Sequence, residues 1–174
     1  GNAGNDIMLG GVNNDDGDEL NGVEKDLLYG DRALPDSTTI ADDGDDIMLG
    51  DNGFLDFTYD TDLDRMTLDL IRSEEDGLGG IDVLSGGKGL DVGIGGTAGD
   101  TIYGDDADSN AAGDDLGDLL LGDNADIFLK AKGSAVGGDV KTVLDSAVYL
   151  IRTTDKEHPE YGGSDTISGN ADGD

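Results

Sequence analysis

Cysteine and tryptophan are absent from this sequence of 174 residues, and histidine occurs only once. Without cysteine the chain cannot form disulfides, so an ordered fold needs another kind of staple. The single histidine, His158, leaves neither a histidine-based catalytic triad nor a multi-histidine zinc site within these residues. Long apolar runs are also missing, which argues against insertion into a membrane as a helix. We therefore expect a protein that is not an enzyme and that has no catalytic residues.

Basic residues are also scarce, because 10 lysines and arginines stand against 41 acidic residues and the formal net charge is −31. A chain this acidic repels nucleic acids and anionic membrane surfaces, so neither is an expected partner. Without cations the same repulsion should expand the chain. Aromatic residues make up only 5% of the sequence, so any ordered core must be thin.

Glycine, by contrast, is abundant, and it follows a strict pattern from Gly77 to Tyr103. The segments GLGGIDVLS, GGKGLDVGI and GGTAGDTIY are tandem nonapeptides, each with an aspartate at its sixth position. Glycines let the first six residues turn sharply, and the apolar residues after the aspartate form a short strand over a core. The sixth-position residues here are Asp82, Asp91 and Asp100, and aspartates that line up in stacked coils would repel each other unless a hard cation lay between them. Oxygen ligands of this kind suit calcium.

Similar units on both sides of this stretch add further sixth-position aspartates. The units are GNAGNDIML, NGVEKDLLY, ADDGDDIML, GDDLGDLLL and EYGGSDTIS, which contribute Asp6, Asp26, Asp46, Asp118 and Asp165. Two nonapeptides form one coil of about 18 residues. Most spacings between consecutive aspartates, with Asp91 left out, are 18, 20 or 36, at or near multiples of a coil. We therefore expect seven aspartates on one side of the fold and Asp91 on the other side. The seven are Asp6, Asp26, Asp46, Asp82, Asp100, Asp118 and Asp165.

A longer period lies above the nonapeptide. MLGDNGFLDF resembles LLGDNADIFL, and DLIRSEEDGLGGIDVLSGG resembles YLIRTTDKEHPEYGGSDTISGN. The implied equivalent pairs are Ile7 with Val83, Tyr29 with Tyr103, Asp46 with Asp118, and Arg72 with Arg152. The sequence thus predicts one unit over 1–76 with an insertion at about 50–76, a second over 77–159 with an insertion at about 122–159, and the start of a third over 160–174. Because the sequence ends inside the motif GNADGD, we expect a longer protein.

Both insertions have the alternating pattern of β-hairpins. FLDFTYD and RMTLDLIRS flank TDLD in the first, and IFLKAK and VKTVLDSAVYLIRTT flank GSAVGGD in the second. A helix from Asp139 to Arg152 is the alternative for the second insertion. For Arg72 and Arg152 we expect salt bridges to the acidic repeats.

These repeats resemble those of the RTX (repeats-in-toxin) family of calcium-dependent proteins. The resemblance covers the coil segments and not the insertions. It implies a right-handed parallel β-roll, with calcium bound by the sixth-position aspartates and turn carbonyls of neighbouring coils, and secretion by a type I system to the extracellular space or cell surface. The predicted metal ligands are Asp6, Asp26, Asp46, Asp82, Asp91, Asp100, Asp118 and Asp165. For the aspartates of the G-D pairs, both a ligand and a solvated role stay open; these are Asp31, Asp51, Asp105 and Asp123.

Two functions are compatible with this pattern. One is a structural segment of a large extracellular repeat protein, such as a filament, a surface layer or an adhesin stalk, that folds on binding calcium. The alternative is the secretion and folding module of a type I-secreted hydrolase. The residues that flank the inward strand position, such as Ile47 and Leu49, are mostly apolar and should point outward. We expect this stripe to mediate self-association into fibres, unless the two hairpins fold back over it.

Overall fold

The computed structural model describes residues 5–11, 26–30, 44–57, 68–74, 77–105, 117–131, 146–154 and 156–169. These residues form twelve β-strands and their connections, with no helix among them. The prediction of an all-β protein is therefore confirmed.

Eight of the strands form two parallel sheets. Sheet 1 has the order β1 (Ile7–Leu9), β3 (Ile47–Leu49), β7 (Val92–Gly96) and β9 (Leu119–Asp123). Sheet 2 has the order β2 (Leu27–Tyr29), β6 (Val83–Ser85), β8 (Thr101–Tyr103) and β12 (Thr166–Ser168). Every neighbouring pair in both sheets is parallel. Among these eight strands the chain alternates between the sheets, so a strand of one is always followed by a strand of the other.

The core between the two sheets is built from the second residue after each sixth-position aspartate. Met48, Leu84 and Ile102 are fully buried there, and Met8, Leu28 and Leu120 pack against them. Successive side chains of a strand point to opposite faces, so one inward residue per three-residue strand makes a thin core. These positions were predicted to point inward, and all of those six do. Ile167 of β12 is 48% exposed, because β12 is the last strand of sheet 2.

The remaining strands form an antiparallel sheet, named here the hairpin sheet. Its order is β4 (Gly53–Asp56), β5 (Leu70–Ser73), β10 (Ala125–Ala131) and β11 (Ser146–Thr153). The pairs β4–β5 and β10–β11 are the two predicted hairpins, which are thereby confirmed. The alternative helix is wrong over residues 146–152, because β10 offers this segment a paired strand; residues 139–145 lie outside the described residues.

The hairpin sheet covers the outer face of sheet 1. An apolar cluster joins the two sheets through Ile47, Leu49, Leu68, Ile71, Val92, Ile94, Ile127 and Leu129. Ile47 is 6% exposed and Leu49 is 1% exposed, so the prediction that they form an open stripe is wrong. The reason is topological: both hairpins follow strands of sheet 1, with short connections after Leu49 and Asp123, and fold over the sheet that they leave.

The predicted arrangement of the aspartates on one side is also wrong. Strands of sheet 1 follow Asp6, Asp46, Asp91 and Asp118, and strands of sheet 2 follow Asp26, Asp82, Asp100 and Asp165. A spacing of 18 residues joins two neighbouring strands of sheet 2 between Asp82 and Asp100, but it crosses from sheet 2 to sheet 1 between Asp100 and Asp118, since turn length varies. For the same reason Ile7 and Val83 are not equivalent, because they lie in different sheets. The unit boundaries stay predictions.

Candidate metal centre

The sixth-position aspartates form two hydrogen-bonded rows, which we name the aspartate ladders. In each ladder the main-chain N–H of one aspartate donates to Oδ1 of the aspartate that precedes the neighbouring strand of the same sheet. Along sheet 1 the distances are 2.7 Å for Asp6 to Asp46, 2.7 Å for Asp46 to Asp91 and 2.9 Å for Asp91 to Asp118. Along sheet 2 they are 2.7 Å for Asp26 to Asp82, 2.8 Å for Asp82 to Asp100 and 2.9 Å for Asp100 to Asp165. The structure thus brings all eight predicted ligands into rows. It places four in each of two rows, whereas the sequence predicted seven on one side and Asp91 on the other.

For every ladder residue except Asp6, the second carboxylate oxygen lies beside the glycine at the end of the preceding strand of sheet 1 or sheet 2. A methyl group on Gly95 would overlap both Oδ2 of Asp100 and the carbonyl oxygen of Gly122. A methyl group on Gly10 would lie 2.5 Å from Oδ2 of Asp26 and would overlap the carbonyl oxygen of Gly50. Glycine is needed here for close approach rather than for its backbone freedom, because neither residue has a positive φ. Both of these turns therefore bring a carboxylate oxygen and a carbonyl oxygen beside one glycine.

This relation recurs in the other turns. The glycine facing each carboxylate is Gly30 for Asp46, Gly50 for Asp82, Gly86 for Asp91, Gly104 for Asp118 and Gly122 for Asp165. For Gly30, Gly50 and Gly86 the carbonyl oxygen of the next coil's glycine is also beside the same point. Five of the turns, at Gly10, Gly30, Gly50, Gly86 and Gly95, are therefore repeats of one oxygen-lined arrangement.

The atoms of these turns that could bind a metal are oxygens, and two of them accept no hydrogen bond. Oδ2 of Asp26 and Oδ2 of Asp100 are shielded from solvent and accept no hydrogen bond. A buried acceptor without a donor is costly, and a hard cation such as calcium is a suitable partner for carboxylate and carbonyl oxygens. The described residues contain no group of three or more His, Cys, Asp or Glu side chains placed to hold a metal. The donor chemistry fits calcium, with carbonyl oxygens or water completing the coordination around each carboxylate.

The electrostatics of the ladder also favour a cation. Burial raises the pKa of Asp100 from 3.8 to about 7, against the lowering effect of the hydrogen bond from the Asp82 N–H. The negative charges of Asp82, Asp165 and Asp51 raise this pKa further. Near pH 7 Asp100 without a cation therefore binds a proton part of the time.

Asp51, from one of the G-D pairs, is tied into the turns rather than solvated. It is 2% exposed, and it accepts hydrogen bonds from the main-chain N–H of Gly80 at 3.1 Å and of Thr97 at 2.6 Å. Burial raises its pKa to about 6, although both hydrogen bonds oppose this change. Asp105 is also buried and Asp123 is half-buried, whereas Asp31 lies outside the described residues.

An ion-pair triad around the buried Asp126 of the hairpin sheet was not predicted from the sequence. Asp126 is 1% exposed and lies opposite Arg72 of β5 and Arg152 of β11. Arg72 Nε contacts Asp126 Oδ1 at 2.5 Å, and Arg152 Nε donates to Asp126 Oδ2 at 2.8 Å. The arginines were expected to bind the acidic repeats, but their partner lies between them in the hairpin sheet. The available signal was that IRS and IRT stand at equivalent places on either side of NADIF.

No family model, curated protein or solved structure matches this chain, so its function has to be inferred from the site itself. Within the ranges that the structure covers, no helix has the length and hydrophobicity needed to cross a membrane.

Proposed function

We propose that this protein is a calcium-stabilised structural segment of a larger extracellular repeat protein, such as a filament, a surface layer or an adhesin stalk. In this proposal sheets 1 and 2 form a calcium-dependent parallel β-roll of the RTX type. The observation that carries it is the pair of aspartate ladders, in which Oδ2 of Asp26 and Oδ2 of Asp100 are buried without a hydrogen-bond donor beside glycine carbonyls.

Calcium would be held in the turns by the ladder aspartates and the neighbouring glycine carbonyls. Each ion would supply two positive charges against a net charge of −31. The chain's own contribution is to fix Oδ1 of six of the eight ladder carboxylates, all but Asp6 and Asp26, on a backbone N–H, which leaves Oδ2 aimed into the turn. Since no such arrangement exists in the unfolded chain, the free energy of calcium binding becomes free energy of folding.

The hairpin sheet favours the structural role over that of a secretion and folding module. Strand β10 from the second insertion pairs with β5 from the first, so consecutive insertions build one continuous sheet. A folding module needs only the coils, whereas a continuous second sheet adds lateral rigidity to a repeating stalk. Secretion by a type I system would suit such a protein, because extracellular calcium would trigger folding after export.

Circular dichroism of the whole chain, with calcium and with a chelator, tests this proposal. At pH 8, where the ladder carboxylates are ionised, we expect β-structure only with calcium, with a midpoint on the order of 0.1–1 mM, as for extracellular calcium modules. Asp100→Asn should raise the midpoint, whereas the matched control Glu157→Gln, which removes the same charge from an exposed position, should leave it nearly unchanged. A β spectrum that is the same with and without calcium would contradict the proposal.

A further inference from the structure

The turns that join sheets 1 and 2 fall into two classes of length. Measured from the glycine that faces a ladder aspartate to that aspartate, two turns span five positions and the other five span 14 or more. The short turns are 86–91 and 95–100, and the long ones are 10–26, 30–46, 50–82, 104–118 and 122–165. The hairpins β4–β5 and β10–β11 lie within two of the long turns. The chain therefore has to leave these turns and return to them.

The residue after the facing glycine differs between the two classes. In both short turns it is a second glycine, Gly87 or Gly96, with a φ of +122° or +110° that glycine adopts without strain. The turn 10–26 also has a glycine there, Gly11. In the other four long turns it is an aspartate, and these residues are Asp31, Asp51, Asp105 and Asp123. The three of them that the structure describes have no positive φ, so these long turns begin in a different backbone conformation.

The side chain of Asp51 joins the two ends of the first insertion. Its Oδ1 accepts a hydrogen bond from the main-chain N–H of Gly80, where the chain returns from the hairpin. Its Oδ2 accepts one from the main-chain N–H of Thr97 in the neighbouring short turn. A methyl group on Gly79 would overlap both carboxylate oxygens, so the returning chain needs a glycine at this point. One buried carboxylate thus holds the departing chain, the returning chain and the next turn together.

The contact that this closure preserves is the one proposed to bind calcium. A methyl group on Gly50 would lie 2.5 Å from Oδ2 of Asp82 and would overlap the carbonyl oxygen of Gly95. The uninterrupted turn has the same relation, because a methyl group on Gly95 would overlap Oδ2 of Asp100 and the carbonyl oxygen of Gly122. The turn that contains a hairpin therefore has the same oxygen arrangement as the turn that contains none.

The second insertion repeats this arrangement. Asp123 is the G-D aspartate at its start, and a methyl group on Gly162, where the chain returns, would overlap Oδ1 of Asp123. Gly162 stands three positions before Asp165, just as Gly79 stands three positions before Asp82. The glycine pairs of LGGID and YGGSD are therefore equivalent, and each lies against the G-D aspartate that opens its own insertion.

From these contacts we propose that the aspartate of a G-D pair is a clasp, which lets the chain leave a turn for an insertion and fixes the returning chain beside the point of departure. Asp51 and Asp123 are the clasps of the two hairpin insertions. Asp51 is then a positioning residue, which acts on calcium through Gly50 and Asp82, and this inference rests on the proposed function. Because the clasp fixes both ends of an insertion, the segment between them can vary while the calcium turn is kept. The G-D pair thus marks the places where this protein can carry additional segments.

Amide exchange by NMR and ion counting by native mass spectrometry, on the whole chain in saturating calcium, test the clasp. In Asp51→Ala the amides of Gly80 and Thr97 should exchange about ten- to a hundredfold faster, because each loses a hydrogen bond to a charged group. The variant should also bind one calcium ion fewer than the wild type, because Gly50 and Asp82 are no longer held together. Asp51→Asn keeps one acceptor oxygen, so it should protect one of the two amides and recover the ion.

Ser73→Ala is the matched control. Ser73 is 3% exposed, and its hydroxyl also makes two hydrogen bonds to the main chain of a distant segment, with the N–H and the carbonyl oxygen of Ala125. It lies in the hairpin sheet and closes no turn. This variant should speed exchange at Ala125 and leave both Gly80 and the number of bound ions unchanged.

Unchanged exchange at Gly80 and Thr97 in Asp51→Ala, or an unchanged number of ions, would overturn the clasp and leave the calcium proposal standing. Loss of an ion with normal exchange at both amides would make Asp51 a ligand and would also overturn the clasp. If Asp51→Ala does not fold, Asp51→Asn decides, because normal exchange at both amides in that variant would refute the clasp. If the wild type folds without binding calcium, the proposed function fails, and the two amides alone then decide whether Asp51 closes the insertion.

Discussion

At the scale of the residue, one aspartate per turn performs two tasks with its two oxygens. Oδ1 of Asp100 accepts a hydrogen bond from the main-chain N–H of Asp82 and thereby joins neighbouring segments of sheet 2, while Oδ2 is left facing the glycine turn. Because Oδ2 is buried without a donor, the carboxylate needs either a cation or a proton there. This choice makes the stability of the calcium-free protein depend on pH.

The calcium-free protein should lose stability as the pH rises. The pKa of Asp100 is raised to about 7 and that of Asp51 to about 6, from 3.8, mainly by burial. Between pH 3.8 and about pH 7 the folded state therefore binds more protons than the unfolded state. The stability that comes from these bound protons is fully present below about pH 4 and is lost as the pH rises through about 7. Calcium-stripped protein should show more β-structure by circular dichroism at pH 5 than at pH 8, and Asp100→Asn should weaken this dependence.

The dependence should reverse when calcium is present, since calcium binds the ionised carboxylate. The control is the same titration of Glu157→Gln, which should follow the wild type. If β-structure in the calcium-free protein increases with pH instead, the carboxylates of the ladders are not buried as the structure shows.

At this scale the sequence was informative where a motif repeats. The sixth-position aspartates and the inward residues after them, such as Met48 and Leu84, could be identified because each unit carries the same local chemistry. Asp126 could not, because the residue at its place in the first hairpin is Phe54, and a pairing between strands distant in sequence decides its role.

At the scale of the element, an aspartate at the centre of the hairpin sheet forms ion pairs with one arginine from each hairpin. Asp126 on β10 receives Arg72 from the preceding hairpin and Arg152 from its own. Arg72 also lies over Phe54 and Arg152 over Phe128. Across the sheet the side chains of Phe54, Arg72, Asp126 and Arg152 thus form one row, which is aromatic, cationic, anionic and cationic in turn. This row links the two insertions.

Removing the carboxylate at the centre of this row should destabilise the protein. Asp126→Ala leaves two arginine side chains without their shared acceptor, and the loss should be roughly 2–3 kcal/mol, because the arginines are partly exposed and so partly compensated by water. The matched control is Glu74→Ala, an exposed acid just after β5, whose effect should stay within about 0.5 kcal/mol. Urea unfolding in saturating calcium measures both. Equal unfolding midpoints for the two variants would show that the triad contributes nothing.

The sequence predicted the existence of both hairpins but not the sheet to which each short strand belongs. The hairpins carry their own alternation of apolar and polar residues, which is a local signal. Because the strands of sheets 1 and 2 alternate along the chain, the sheet that a strand joins depends on how many of these strands precede it. Residue spacing does not reveal that number when one half-coil takes 9 residues between Asp91 and Asp100 and another takes 18 between Asp100 and Asp118.

At the scale of the whole molecule, the hairpin sheet and sheet 1 advance in step. From β3 to β9 sheet 1 advances by two strands, and from β4 to β10 the hairpin sheet also advances by two. Since neighbouring strands are about 4.8 Å apart in both kinds of sheet, the two layers stay aligned. A hairpin two strands wide therefore requires two coils beneath it.

Deleting one coil should break this alignment. Removing residues 83–100 takes out one strand from each parallel sheet and joins Asp82 to Thr101, so the aspartate motif is preserved. Strand β10 would then arrive one strand from β4, where β5 already lies. Hydrogen exchange by mass spectrometry in calcium should show that 70–73 and 125–131 lose protection while β3 and β8 keep theirs. Wild-type protection of the hairpin strands would refute the idea that the two layers advance together.

The alternation between two sheets also constrains how such a gene can grow or shrink. An added or lost nonapeptide would move the next insertion to sheet 2, on the far side of the molecule from β4 and β5, where its apolar strands would find no layer to join. A change of one coil would keep the side but misplace the hairpin. Recombination between repeats would therefore leave a foldable protein only when it exchanges two coils together with one hairpin. The smallest segment that such a gene can gain or lose is therefore two coils with one hairpin, and its length is set by the width of the hairpin.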